Sequence, residues 1–189
     1  MSQRRKDVLI NALNDPDNKI RFYASKALEK LEAKEGIEDL KKSLYTGDKI
    51  AKLRTIYALG KIKNKQAIIL LVKALKQAVE EEVRASAAQV LGQLRDQRTI
   101  DPLLESLDDK SLVVKLAVIE ALGAFEDTRI TTSLMVLLDH EEQGLVKEAI
   151  KVLGIIGDKQ AEDALIKLAE DGTTTVKTLA IRALGDLDV

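Results

Sequence analysis

A chain of 189 residues, 46% hydrophobic but only 3% aromatic, can bury a continuous core of Leu, Ile, Ala and Val. The lack of cysteine excludes a disulfide framework and a thiol nucleophile. The net charge of −1 conceals an asymmetry: residues 1–94 carry 19 basic and 12 acidic side chains, and residues 95–189 carry 11 and 19.

Two prolines and abundant Ala, Leu, Lys and Glu predict an all-α protein. The opening MSQRRKD leads into no apolar signal-peptide core. No apolar run approaches the roughly 20 residues that span a bilayer. A cytoplasmic protein without a membrane partner is expected.

In chain order, residues 6–14 (KDVLINALN) read as a lone helix. A repeat follows. Gly60, Gly92, Gly123, Gly154 and Gly185 close the similar runs TIYALG, AAQVLG, VIEALG, IKVLG and IRALG, at spacings of 32, 31, 31 and 31 residues. An earlier copy, ASKALE, has Glu29 in the glycine position. A fixed period of this size predicts a solenoid, in which each unit buries its apolar face by stacking on its neighbours. The chain is read as one domain: a half unit at 1–17, repeats at about 18–47, 48–79, 80–109, 110–140 and 141–171, and a terminal helix at 172–189.

Each repeat divides into a first helix, which carries the glycine, and a second helix. In the third repeat Val83, Ala87, Val90, Leu91 and Leu94 keep helical spacing, RDQRT breaks it, and Ile100, Leu103, Leu104 and Leu107 resume it. Pro102 falls in the first turn, where a missing N–H costs little. The same second-helix ladder reads Ile37, Leu40, Leu44; Ile68, Leu71, Leu75; Ile130, Leu134, Leu138; and Ala161, Leu165, Leu168. Five helix pairs plus one helix at each end are expected, antiparallel and stacked in two layers.

Runs such as VRASAAQVLGQLRDQRTIDPLLESL and VKLAVIEALGAFEDTRI resemble the short HEAT-like repeats of the phycobilisome-lyase type, over nearly the whole chain. The resemblance implies an α-solenoid of HEAT-like or armadillo-like kind, a right-handed superhelix whose second helices line a concave face. The repeat architecture points to binding as the activity, whereas the resemblance is specific for fold and not for function, since such repeats serve in lyase subunits, scaffolds and adaptors.

A polar ladder accompanies the repeat. Arg21, Lys52, Arg84, Lys115, Lys147 and Lys177 precede the anchors by seven or eight residues. Six residues earlier stand Asp15, Asp109, Glu141 and Asp171, with Thr46 and Ala78 in two repeats. The cations are expected to satisfy loop carbonyls and the acids, with Asp109 and Lys115 as a pair. The glycines are expected to let the paired helix approach.

The expected binding surface is the second-helix face, at Glu38, Ile69, Asp101, Thr132 and Asp163, and at Lys42, Lys73, Glu105, Val136 and Lys167. Glu38–Lys42 and Asp163–Lys167 have i,i+4 spacing. Ile69, Leu70, Met135 and Val136 form a candidate apolar patch. Between Leu40 and Val79 there are ten basic residues and one acid, Asp48. Lys41, Lys42, Lys61, Lys63, Lys65, Lys73 and Lys76 are the candidate basic patch, for an anion or nucleic acid. The only histidine, His140, lies in a Asp139–Glu142 loop and is expected to be solvated. No metal site, cofactor or catalytic set is expected.

The function expected is a non-catalytic scaffold or adaptor that binds another macromolecule, a protein first. The alternatives are an accessory subunit of a bilin lyase-type complex and an anion or nucleic-acid binder using the basic second repeat. A monomer is expected. The alternative is weak head-to-tail association, since Ile181 keeps the terminal helix apolar at the position of Ile119 and Ile150.

Overall fold

The computed structural model describes residues 3–187, apart from the side chains at positions 33 and 34. Among the described residues there are eleven α-helices and no strand. Two compact bodies, Met1–Thr46 and Gly47–Val189, emerge from the backbone proximities.

The amino-terminal body holds α1 (Gln3–Ala12), which buries none of its residues, and α2 (Asn18–Thr46). Here the expected helix pair at 18–47 is replaced by one helix of 29 residues. The cause is visible at the corners of the later repeats. Asn64, Asp96, Asp127 and Asp158, each four residues after an anchor glycine, accept a backbone N–H of the next helical segment. The same register in the first repeat falls on position 33, an alanine, a residue type with no acceptor. With no cap and no proline to stop it, the helix runs on. It buries Ala24, Leu28, Leu31, Ile37 and Leu44, while Leu40 is half-buried.

The carboxyl-terminal body keeps the expected alternation. First helices are α3 (Lys49–Ile62), α5 (Glu81–Leu94), α7 (Leu112–Leu122), α9 (Gln143–Ile156) and α11 (Thr174–Asp186). Second helices are α4 (Lys65–Gln77), α6 (Ile100–Glu105), α8 (Thr128–Val136) and α10 (Glu162–Asp171). The short α6 and α8 are prolonged by single 3-10 turns, Ser106–Asp108 and Leu137–Asp139. Each first helix packs on the next, and each second helix packs on the first helix that follows it.

The core lies between the two layers. Ile56, Leu59, Leu71, Leu75, Leu91, Ile100, Leu103, Ile119, Leu122, Ile130 and Leu134 are almost fully shielded from solvent. Each such side chain contributes about 1.5–3 kcal/mol of transfer free energy.

The glycines correct one expectation. They admit not the paired second helix but the first helix of the next repeat. A Cβ on Gly92 would lie 2.7 Å from Ala121 Cα, and one on Gly154 2.9 Å from Ala183 Cα. On Gly60 and Gly123 it would meet Val90 and Val152 at 2.6 and 3.1 Å. Among the described residues a Cβ on Gly185 would meet no neighbouring element within 4 Å, and Ile181 on the same helix is exposed.

Candidate functional site

The second helices bury one side of each turn, which forces the opposite side outward. Ile68, Leu71 and Leu75 of α4 point into the core, so Ile69 and Lys73 are exposed. The same logic exposes Asp101, Glu105, Thr132, Val136, Asp163 and Lys167 in the carboxyl-terminal body, and Glu38 and Lys42 in the amino-terminal one. Of the four apolar candidates, Ile69 and Val136 are 46% and 74% exposed, Met135 is half-buried, and Leu70 belongs to the core.

Part of the charge on this face is cancelled between neighbouring helices. Lys76 of α4 contacts Glu105 of α6, and Asp101 of α6 accepts from Arg129 of α8 at 2.6 Å. Arg129 is also held by Asp127 at 2.8 Å. In the amino-terminal body Glu38 pairs with Lys41 at 3.3 Å rather than with Lys42. Among the described residues the face therefore presents Ile69, Thr132 and Val136 as uncharged points, with Lys42, Lys73, Asp163 and Lys167 outside any ion pair.

The polar ladder works across repeats. Arg84, 4% exposed, donates from Nε and Nη2 to the two carboxylate oxygens of Asp109 at 2.7 and 2.9 Å, and from Nη1 to the carbonyls of Ala78 and Val79 at 2.9 Å each. Arg21 makes the same carbonyl contacts, to Asp15 and Pro16 at 2.5 and 2.9 Å. Lys52 reaches both oxygens of Glu80, at 2.8 and 3.1 Å. Lys177 donates to the Glu170 carbonyl. The partner of Asp109 is thus Arg84, not Lys115: the cation of one repeat grips the acid of the turn opening the next.

Sequence reasoning missed other polar links of this kind. Lys49 meets Glu82 at 2.8 Å, and Ser111 donates to Glu81. It also missed shallow cavities of about 360 and 200 Å³ on the first-helix layer, over Gly92 and Gly154. They lie where the residue facing the glycine is Ala121 or Ala183. The alternation of Ala with Val90 and Val152 at these positions was the available signal.

Nδ1 of His140 accepts the Glu142 N–H at 2.9 Å, so the ring closes its own turn. Among the described residues no group of three His, Cys, Asp or Glu could hold a metal. No described helix is long and apolar enough to cross a membrane.

The two-layer stack of short antiparallel helices defines an α-solenoid. Residues 6–92, 37–122 and 70–153 match HEAT repeats, and the chain belongs to that family. Residues 146–171 match the PBS lyase HEAT-like repeat. Among curated relatives, the bilin biosynthesis protein PecE of Mastigocladus laminosus is 32% identical over 123 residues, which cover 60% of this chain and 45% of that protein. The chain thus spans about half the length of the curated relative it matches. Among solved structures, the complex of CpcE and CpcF of phycocyanin lyase from Nostoc sp. PCC7120 contains a similar fold. It has a TM-score of 0.53 and 23% identity, covering 98% of this chain and 77% of that one. A designed armadillo repeat protein gives a TM-score of 0.56 at 20% identity, covering 95% and 98%.

Proposed function

We propose that this chain is a non-catalytic, protein-binding subunit of a bilin lyase-type complex, with its partner seated on the second-helix face. The observation that carries the reading is the 32% identity to PecE, named as a bilin biosynthesis protein. The likeness in fold to a chain of the CpcE–CpcF complex is consistent with a protein partner. The face supports it as well. Ion pairs within the stack take up Asp101, Glu105 and Lys76, and Ile69 and Val136 are exposed apolar points on the same face. Such residues release water on docking at little desolvation cost. The contribution expected of such a face is positioning a partner.

The test is co-expression with a second HEAT-like lyase subunit, a phycobiliprotein and a bilin. The expected result is co-purification with that subunit, and pigment attachment only when both are present. Failure to capture the subunit would overturn the proposal. Pigment attachment by this chain alone would overturn its non-catalytic part.

A further inference from the structure

The ten basic side chains between Leu40 and Val79 are sorted into two sets by the fold. Lys41, Lys49, Lys52 and Lys76 are neutralised by Glu38, Glu82, Glu80 and Glu105. Of the remainder, Lys61, Lys63 and Lys65 fall within five residues at the corner between α3 and α4. All three are exposed, and none has an ion pair among the described residues.

The other corners show what is missing here. Asp96 caps the turn before α6 and holds Arg98 at 2.5 Å; Asp127 caps α8 and holds Arg129 at 2.8 Å. Asp158 caps the turn before α10. At the α3–α4 corner the cap is Asn64, whose Oδ1 accepts the Ala67 N–H at 2.8 Å. An amide caps as well as a carboxylate but brings no negative charge. The helix start is satisfied, and three ammonium groups are left without the carboxylate that every later corner supplies.

We infer that the α3–α4 corner is a docking point for a carboxylate-rich segment of the partner protein. The inference rests on the protein-binding reading above and adds where the partner's acidic part sits. Three charges on a single turn match a short acidic run. A nucleic acid would need a basic track with stacking aromatics, and residues 61–65 hold no aromatic. The attraction is between exposed charges, so it steers association and weakens with salt.

The test uses the full chain and a fluorescent polyglutamate peptide at low and physiological salt, read by anisotropy. A Lys61→Gln/Lys63→Gln/Lys65→Gln variant is compared with Arg54→Gln/Lys110→Gln/Lys30→Gln, which removes the same charge from exposed positions elsewhere. The corner variant should bind about tenfold more weakly, as the loss of three exposed charge contacts allows, and the control within about twofold of the parent. A thymidine oligonucleotide should bind more weakly than the peptide. Equal losses in both variants, no binding at low salt, or tighter binding of the oligonucleotide would each overturn the inference. If peptide binding fails while the co-expressed subunit is still captured, the corner alone is refuted and the protein-binding reading stands.

Discussion

Asp109 shows how a single carboxylate ties two repeats together. Burial raises its pKa, but the Arg84 hydrogen bonds, the Ser111 N–H and the nearby positive charge more than offset this, so it lies below the usual carboxylate range. Removing it leaves a guanidinium buried and unmatched, so Asp109→Ala is expected to cost about 3 kcal/mol. Arg84→Ala should cost a similar amount, and the double variant less than the sum. Lys115→Ala should stay within about 0.5 kcal/mol. Urea denaturation of the four proteins decides it; additive losses at positions 84 and 109 would break the pairing. The depressed pKa also fixes a pH dependence. Its stabilisation is complete above the unfolded carboxylate value and is lost as pH falls through the folded one. Asp96, held by the Arg98 hydrogen bonds against the opposing effect of burial, is lowered to about 2. Thermal stability should therefore fall between about pH 4 and about pH 2, more steeply in the parent than in Asp96→Asn. Thr131 has the opposite character: it is fully buried, and its hydroxyl has no hydrogen-bond partner among the described residues. Thr131→Val should raise stability by about 1 kcal/mol, and a loss on denaturant unfolding would reveal a partner.

At the scale of helices, most of the design was legible in the sequence, because a 31-residue register repeats the same ladder. Ile68, Leu71, Ile100, Leu103, Ile130 and Leu134 all reach the core as the period requires. The merged α2 was missed because the period marks where helices sit, not where they stop. Stopping depends on one capping side chain, and position 33 lacks it. The role of the glycines was half legible. A small residue announces a close approach, but Gly92 and Ala121 are 29 positions apart and meet only once repeats stack. Of the candidate face, exposure was readable from helical phase, whereas the cancellation of Asp101 and Glu105 was not, since their partners come from other helices. Gly92→Ala and Gly185→Ala separate packing from propensity. The first puts a methyl against the Ala121 backbone and should cost about 1–3 kcal/mol. The second meets open space and should be neutral or gain up to about 1 kcal/mol. Equal melting temperatures for the two would contradict the close approach.

Across the whole molecule, the basic amino half and acidic carboxyl half are partly reconciled by contacts within the carboxyl-terminal body. Lys49–Glu82, Lys52–Glu80 and Lys76–Glu105 join the second repeat to the third, Arg84–Asp109 ties the third to the turn that leads into the fourth, and Asp101–Arg129 joins the third to the fourth. Among the described residues no ion pair joins α7 or α8 to the helices after them; α9 packs on both and buries Leu145, Ile150 and Leu153. Salt screens the exposed pairs and spares apolar burial. Hydrogen exchange in high salt should therefore quicken in α3–α5 more than in α9–α11, and a uniform change would remove the electrostatic account. The central claim, that the second-helix face receives a protein partner, is tested most directly by exchange mapping with and without the co-expressed HEAT-like lyase subunit. The account predicts new protection at α4, α6, α8 and α10, centred on Ile69 and Val136, and its loss in Ile69→Asp/Val136→Asp. Protection confined to α3, α5, α7 and α9 would contradict it.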